Sequence, residues 1–269
     1  MLHILTLTWN GCERLTKLKN SLLPALDNID YTWHIKDNGS TDDTAKEART
    51  WGDKINLIQY KDNLQSFSQG TNYTFNAAKP NDNDLVLLLN NDIVFKDKTS
   101  LSKMIAMLKN DVGIVGAKLT YTGTSKLQHA GVVFTEPYKL PINYRAGQNN
   151  DDTSSKRRYF QSVTGAVLLM KSEIIKSMID LNGKGLDENY IWCFEDVDLC
   201  LHAVYNLKKK IAYCGDVKIE HEESATLKKN NVNKLFFKKN AQYFLDKWKN
   251  IYHVDKPLYD NDSKYNVIK

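Results

Sequence analysis

The chain reads DLVLLLNND at residues 84–92, an apolar run that ends in two amides and a carboxylate. A short apolar run bounded by turn-forming residues is typical of a buried strand. Similar runs occur at 2–8, 31–36, 55–60 and 112–119. Segments with the apolar spacing of helices alternate with these runs, at 12–26, 41–51, 67–78 and 101–108. This alternation predicts an α/β fold with a Rossmann-like, mostly parallel central sheet flanked by helices.

Polar residues follow the predicted strands at the same rim of the sheet, where α/β proteins bind ligands. They are Thr8, Asn10, Asp37, Asn63, Asn90, Asn91 and Asp92. A carboxylate beside amides at a strand end can hold a divalent cation that is also bound by a diphosphate. The alternative for residues 90–92 is an ordinary Asn/Asp turn. The sequence therefore predicts a concave polar site at this rim.

The second half of the chain is less regular. We expect strands at 127–134, 163–170, 211–214 and 217–219, and helices at 195–205 and 232–248. The polar segment 138–157 is predicted to be a mobile loop. Neither an internal repeat nor a linker is recognisable, so we predict a single domain over residues 1–269.

Carboxylates are concentrated at the start of the helix predicted at 195–205, where Glu195, Asp196 and Asp198 lie within four residues. They could simply cap the helix and match its dipole. Alternatively, one caps the helix while another faces a site as a general base. Acidic residues also flank His221, which favours contact with a metal or a phosphate, whereas His129 is interpreted as structural.

Composition excludes several classes of protein. The net charge is +5, and the excess of lysine is concentrated at 225–256, which argues against a broad nucleic-acid-binding face. A solvated helix face is the simplest interpretation of these lysines, with attraction to anionic lipid or a phosphate-bearing substrate as the alternative. The chain has four cysteines and no C-x-x-C pair, which predicts reduced thiols in a cytoplasmic protein. It has no apolar run long enough to span a membrane, which predicts a soluble protein. Motifs of P-loop enzymes, dinucleotide dehydrogenases, serine hydrolases and zinc proteases are missing.

Taken in order, the polar clusters resemble those of the inverting GT-A glycosyltransferases of glycosyltransferase family 2. The resemblance extends over nearly the whole chain. Its motifs are LTWN at 7–10, DNGSTD at 37–42, Asn63 with FSQGTN at 67–72, LNNDI at 89–93, QHAG at 128–131, TGA at 164–166, LDE at 186–188, FEDVDLC at 194–200, and His221 with Ser224.

The resemblance implies a role for each matching residue. Thr8, Asn10, Asp37, Asn63, Asn90, Asn91 and Asp92 would bind a nucleoside-diphosphate sugar, with UDP or dTDP favoured. Asp92 and His221 would ligate Mg²⁺ or Mn²⁺. Asp196 would be the general base, supported by Glu195, and Gly165, Asp187 and Glu188 would lie on the acceptor side. Asn90 stands where the family often has Asp, which leaves the metal site one charge fewer.

The resemblance also implies an internal division and partners. Residues 1–120 would bind the nucleotide sugar, 121–230 would hold the acceptor and catalytic parts with a small antiparallel sheet, and 231–269 would form a C-terminal helix and tail. The acceptor would be a glycan or a lipid-linked glycan, with peripheral membrane contact through the lysine-rich helix and no nucleic-acid partner. A sugar nucleotidyltransferase and an inactive glycan-binding scaffold remain alternatives.

Overall fold

A computed structural model describes residues 1–60, 66–191, 193–222 and 231–268. The strands are β1 Leu2–Thr8, β2 Tyr31–Asp37, β3 Ile55–Gln59, β4 Leu85–Leu89, β5 Ile93–Phe95, β6 Val112–Tyr121, β7 Leu127–His129, β8 Val132–Thr135, β9 Leu140–Asn143, β10 Arg158–Phe160, β11 Val167–Lys171 and β12 Lys210–His221. The α-helices are α1 Cys12–Leu22, α2 Thr44–Ala48, α3 Phe67–Ala78, α4 Ser100–Ile105, α5 Ser172–Asn182, α6 Glu195–Leu201, α7 Asn231–Trp248 and α8 Lys256–Asn261.

The central sheet has the strand order β10-β12-β6-β11-β4-β1-β2-β3, with β5 and β7 paired to β12 and β6. Strands β4, β1, β2 and β3 are parallel, and so are β6 and β12. Strand β11 lies antiparallel between β4 and β6. Strands β8 and β9 form a small antiparallel sheet. The α/β architecture predicted from the alternation is confirmed. The antiparallel insertion of β11 into the sheet was not predicted.

Helices cover both faces of the sheet because successive strand residues point to opposite sides. On β1, Ile4 packs into the layer under α1, whereas Leu5 packs into the layer that contains Phe75 of α3. A third cluster joins α6 and α7, in which Phe194, Phe244 and Trp248 pack together. Helix α7 is therefore anchored on α6, at the head of which the predicted catalytic carboxylates lie.

Several predicted elements differ in the structure. The predicted helix at 41–51 is reduced to α2, because Asp42 forms a turn in which its Oδ1 accepts a hydrogen bond from the Thr44 amide at 3.0 Å. The strand predicted at 127–134 is divided at Gly131, whose φ of +104° breaks the pleat. The short strands predicted at 211–214 and 217–219 form one irregular strand, β12.

Residues 138–157, predicted to be a mobile loop, include regular structure. The segment contains β9, which pairs with β8, and a turn in which Arg145 and Asp151 form two hydrogen bonds of 2.6 Å. Backbone hydrogen bonds also join it to β7, where the Leu127 amide donates to the Gln148 carbonyl at 2.8 Å. The polar composition of the segment gave no sign of this pairing. In the described part of the chain, no helix is both long and apolar enough to cross a membrane.

Candidate active site

The nucleotide-binding residues predicted on the first two strands lie side by side. Thr8 and Asp37 end β1 and β2 and are partners in the parallel register. Asn91, in the turn after β4, donates a hydrogen bond from Nδ2 to Thr8 Oγ1 at 3.1 Å. Gly11 lies against this contact, since a Cβ there would approach Asn91 Nδ2 and Thr8 Oγ1 to 2.9 Å. The carboxyl ends of β1, β2 and β4 thus meet at one rim of the sheet, as the sequence predicted.

A hydrogen-bonded turn after β2 fixes Asn10 and Asp37. The Asn10 amide donates to Ser40 Oγ at 2.8 Å, and its side-chain Oδ1 accepts from the Thr41 amide at 2.7 Å. Asp37 Oδ1 accepts from the Ser40 amide at 3.1 Å, and the Asp37 side chain is buried. The two side chains are therefore oriented by the protein itself. Asn63, which the sequence also predicted here, lies outside the described residues.

Asp92 and His221 form the second part of the site. Strand β5 follows Asp92 and pairs with the end of β12, which places Ile93 opposite His221. As a result, His221 Nε2 lies 3.0 Å from Asp92 Oδ1, and both side chains are largely buried. The two residues are 129 positions apart in sequence, and the sheet topology is what brings together these two predicted metal ligands.

Gln128 of β7 fixes the orientation of the His221 ring, with its Oε1 at 2.6 Å from Nδ1. An amide oxygen at this distance requires a proton on Nδ1, so Nε2 of the neutral ring presents its lone pair to the Asp92 carboxylate. The Nε2 lone pair and the Asp92 carboxylate oxygen repel each other unless a proton or a cation lies between them. Gln128 was not predicted as a site residue from the sequence, although the alternation of side chains along its strand could have identified it.

The Asp92–His221 pair fits a divalent cation. Metal bonds of about 2.1 Å at right angles separate neighbouring ligand atoms by about 3.0 Å, which matches the observed Asp92–His221 distance of 3.0 Å. Asn90 Nδ2 lies 3.5 Å from His221 Nε2. Among the described residues, no group of three or more His, Cys, Asp or Glu side chains surrounds a metal-sized space. Further ligands could come from substrate, water or amide oxygens.

Asp196 lies at the start of α6, after a turn in which Phe194 adopts a φ of +78°. Its Oδ2 accepts a hydrogen bond from the Gly165 amide at 2.7 Å, and its Oδ1 accepts one from the Val197 amide at 2.8 Å. A Cβ at position 165 would lie only 3.1 Å from the Asp196 Cβ, so glycine permits this close approach. Gly165, predicted on the acceptor side, is thus in direct contact with Asp196, the predicted general base.

A cleft of about 160 Å³ opens beside Asp196. Its lining combines the Asp196 carboxylate with Thr164 and Asn143 and with apolar side chains from β8, β9 and α7, among them Val132, Ile142 and Phe237. Ile142 and Phe237 are also exposed to solvent, at 41% and 49%. A molecule bound in this cleft would contact the carboxylate at one end and an apolar wall at the other.

Glu195 and Asp196 are adjacent carboxylates in different surroundings. Burial and the neighbouring Asp196 charge raise the pKa of Glu195 to about 8, and its Oε2 has no hydrogen-bond partner among the described residues. Burial also raises the pKa of Asp196, but hydrogen bonds from backbone amides oppose that rise by favouring its ionised form. Of the two carboxylates, Asp196 is therefore the one whose ionised form is favoured by hydrogen bonds, whereas burial raises the pKa of Glu195 to about 8.

Residues 164–166 connect the two parts of the site. The Asn90 amide donates to the Ala166 carbonyl at 2.9 Å, and Gly165 holds Asp196. His129 Nε2 accepts a hydrogen bond from the Thr164 amide at 3.4 Å, and burial lowers the pKa of His129 to about 4. His129 is thus a neutral, fully buried residue that supports the loop, in agreement with its structural interpretation.

Asp187 and Glu188, predicted on the acceptor side, make contacts within the protein. Asp187 Oδ2 accepts hydrogen bonds from Lys247 at 2.9 Å and from Tyr243 at 2.8 Å. Burial alone would raise the pKa of Asp187, but these hydrogen bonds outweigh burial and lower it. Glu188 pairs with Lys184 at 2.5 Å. Neither carboxylate contacts Asp196 in the described structure, and their acceptor-side role remains a prediction.

Asp198 has a structural role that the sequence analysis did not assign. Its Oδ1 lies 2.8 Å from Lys247 Nζ and accepts hydrogen bonds from Trp248 Nε1 at 2.7 Å and from Tyr190 at 3.2 Å. The carboxylate is fully buried, so the Lys247 ammonium is its counter-ion. This contact ties the end of α7 to α6 and thereby holds the helix that carries Asp196.

The fold resembles those of known glycosyltransferases. TarS from S. aureus in complex with UDP-GlcNAc matches with a TM-score of 0.58 and 15% identity, over 91% of this chain and 66% of that chain. A mannosyltransferase from Pyrobaculum calidifontis in complex with GDP-Man and Mn²⁺ gives 0.59 and 12%, over 98% and 69%. GalNAc-T7 with UDP, GalNAc and Mn²⁺ gives 0.62 and 11%, over 99% and 55%. At these identities the likeness establishes the GT-A fold alone.

Sequence comparison adds a relative and a family. The chain is 31% identical over 163 residues to the O-antigen biosynthesis protein RfbC of Myxococcus xanthus. That match covers 56% of this chain and 12% of the relative, so the chain spans a small part of that protein's length. The model of the family described as glycosyl transferase family 2 matches residues 4–165, which include the rim residues and Gly165. The match extends over more than half of the 269 residues and shows that this chain belongs to glycosyl transferase family 2.

Proposed function

We propose that the protein transfers a sugar from a nucleoside-diphosphate sugar to a hydroxyl group of a glycan or a lipid-linked glycan, with inversion at the anomeric carbon. Family membership supports the transferase activity. The name of the RfbC relative supports a role in polysaccharide biosynthesis. Complexes of similarly folded proteins with UDP-GlcNAc and GDP-Man support a nucleotide-sugar donor. The sequence favours UDP or dTDP as the nucleotide.

The donor would bind along the rim formed by the ends of β1, β2 and β4. Thr8, Asn10 and Asp37 would contact the nucleoside, with Asn63, Asn90 and Asn91 beside them. Asp92 and His221 would hold Mg²⁺ or Mn²⁺, which offsets the charge that grows on the leaving diphosphate. The 3.0 Å separation of Asp92 and His221, and the Gln128 contact that orients the ring, support this assignment.

The observation that carries the proposal is the placement of the Asp196 carboxylate at the start of α6. It faces the cleft and is held in place by two backbone amides. It would accept the proton of the acceptor hydroxyl as the oxygen attacks the anomeric carbon and the nucleoside diphosphate leaves from the opposite face. Burial raises the pKa of the neighbouring Glu195 to about 8, and the protonated form of Glu195 would not repel the Asp196 carboxylate.

The acceptor would occupy the cleft beside Asp196. Gly165 lies behind this carboxylate, in contact with Asp196, and the apolar wall formed by Ile142 and Phe237 suits the less polar face of a sugar or a lipid-linked group. Exposed lysines on α7, including Lys238 and Lys239, would approach anionic lipid. We propose that the protein works in the cytoplasm, peripheral to the membrane.

Product analysis tests the proposal. The purified chain is incubated with UDP- and dTDP-sugars, an acceptor mixture and Mn²⁺, and the phosphate products are identified. Release of a nucleoside diphosphate only in the presence of metal is expected. Release of pyrophosphate would instead indicate a sugar nucleotidyltransferase. Binding without turnover, in the wild type and in Asp196→Asn alike, would indicate a glycan-binding scaffold.

A further inference from the structure

A second polar cavity lies where β6 and β12 run side by side, away from the cleft at Asp196. Its volume is about 200 Å³. None of the residues assigned above to the donor, metal or acceptor sites lines it. Its lining is rich in ammonium and hydroxyl groups, and it includes Lys96, Lys118, Lys218, Thr120, Thr124 and Glu220.

Lys118 is the unusual member of this cavity, because its side chain is only 5% exposed. Its Nζ donates a hydrogen bond to the neutral Ser155 hydroxyl at 3.0 Å. Within the described ranges, no carboxylate lies within ion-pair distance of Lys118. Burial lowers the pKa of Lys118, as expected for an ammonium that lacks a counter-ion.

The acidic residues near Lys118 are already neutralised by other cations. Asp216 accepts two hydrogen bonds of 2.8 Å from the Arg157 guanidinium. Asp151 forms the equivalent pair with Arg145, with both distances at 2.6 Å. Glu220, at the cavity wall, pairs with Lys96 at 3.6 Å. Lys118 is thus a buried cation that, among the described residues, has no carboxylate of its own at ion-pair distance, although the charges of Asp216 and Asp151 still favour its protonated form.

We propose that this cavity binds a phosphate group, with Lys118 as its buried counter-charge. Three lysines against one glutamate give the cavity a net positive charge, which suits a group that carries close to two negative charges. Ser125 and Asn150, which also line the cavity, carry a hydroxyl and an amide that can donate to additional phosphate oxygens. Lysine is a common phosphate ligand because its ammonium acts as a compact point charge.

This phosphate site is separate from the proposed donor site. Glu220 and His221 are consecutive residues of β12 in its regular pairing with β5. Consecutive strand residues point to opposite faces of a sheet. The cavity containing Glu220 therefore lies on the other face of β12 from the Asp92–His221 pair, and a diphosphate at that pair would not fill it.

The test is a thermal-shift titration of the full chain with inorganic phosphate in EDTA, at constant ionic strength. For the wild type we expect a saturable rise of about 5 °C at about 100 times the Kd. Lys118→Met should abolish the rise, whereas Lys249→Met, a matched change at an exposed lysine, should preserve it. Without phosphate, Lys118→Met should be at least as stable as the wild type, because methionine removes an unpaired buried charge.

A purely structural role for Lys118 would give the opposite pattern, with a destabilised Lys118→Met that keeps the phosphate response. That result, or a wild type without a saturable response, would overturn the proposal. If Lys118→Met does not fold, Ser125→Ala at the exposed rim should weaken phosphate binding several-fold while preserving the melting temperature without phosphate. An unchanged affinity in that variant would also refute the site.

Two further arms separate this site from the donor site and identify the source of the phosphate. Lys118→Met should keep its Mn²⁺-dependent response to UDP, and Asp92→Ala should keep its response to phosphate in EDTA. Loss of both responses in a single variant would contradict a separate site. Tighter binding of a sugar 1-phosphate than of inorganic phosphate would assign the site to a substrate, and the reverse would assign it to free phosphate.

Discussion

Replacing Asp196 by asparagine removes the group that we propose as the proton acceptor while preserving the size of the side chain. The amide keeps one oxygen for a backbone donor, either Gly165 or Val197, whose hydrogen bonds to Asp196 are 2.7 and 2.8 Å. Local structure should survive, and the loss should fall on the chemical step. Removal of a placed base costs about 10²–10⁴-fold, equivalent to about 3–5 kcal/mol in the activation barrier.

The assay is the release of nucleoside diphosphate, with kcat and KM for the donor determined separately. We expect kcat to fall by about 10²–10⁴-fold while donor affinity in Mn²⁺ stays within a factor of about 3. Glu195→Gln imitates the protonated form of a group whose pKa is about 8, so it should cost far less than Asp196→Asn at pH 7. Asp246→Asn, on the exposed face of α7, is the surface control.

The pH profile gives an independent test of the same assignment. Because burial raises the pKa of Asp196, the wild-type rate should fall on acidification at a pH above the usual range of an aspartate. Asp196→Asn should lose this acidic limb. Near-normal kcat in Asp196→Asn, or a Glu195→Gln defect as large as that of Asp196→Asn, would refute the reasoning about the two carboxylates.

Four other changes test the rest of the structure. Asp92→Ala should abolish stabilisation by nucleotide sugars in Mn²⁺, and an unchanged thermal shift would exclude it as a metal ligand. Gln128→Leu removes the support of the His221 imidazole, which we propose as a metal ligand, and should weaken Mn²⁺-dependent donor binding by about 10–100-fold in calorimetry; equal affinity would exclude a role in orienting the ring. Lys247→Met strands the buried Asp198 carboxylate and should lower the free energy of unfolding in urea by about 3 kcal/mol; a loss below about 1 kcal/mol would show that the pair is not needed. Burial lowers the pKa of His34 from 6.5 to about 4, so the unfolded chain binds that proton first. The contribution of His34 to the free energy of unfolding should therefore fall by about 3 kcal/mol from pH 6.5 to pH 4. Over this range the wild type should lose about that much more stability than His34→Gln in urea unfolding, and equal losses would contradict the assignment.

Local patterns were sufficient to predict the parallel strands β1 to β4 and helix α3. Helix α3 begins and ends at the predicted residues, because Ser66 caps it by accepting a hydrogen bond from the Gln69 amide at 3.2 Å. The ends of β1, β2 and β4 meet because parallel strands direct their carboxyl ends to one rim. The rim residues could therefore be identified from the sequence before any contact was known.

Contacts between distant segments could not be predicted in the same way. The pairing of β11 between β4 and β6 is antiparallel and connects segments from the two halves of the chain. The hydrogen bond between Gln128 and His221 spans 93 residues, and the Asp198–Lys247 pair joins two helices. Periodicity describes one element at a time, so it carries no information on which polar side chains of different elements meet.

The most direct test of the central claim is a binding titration of UDP- and dTDP-sugars, performed once with Mn²⁺ and once with EDTA. A donor at about 100 times its Kd should stabilise the protein by about 2.7 kcal/mol. We predict that at least one nucleotide sugar stabilises the wild type with Mn²⁺, that EDTA removes the effect and that Asp92→Ala does not show it. Stabilisation that is equal in Mn²⁺ and EDTA, or equal in the wild type and Asp92→Ala, would contradict metal-dependent donor binding at the rim.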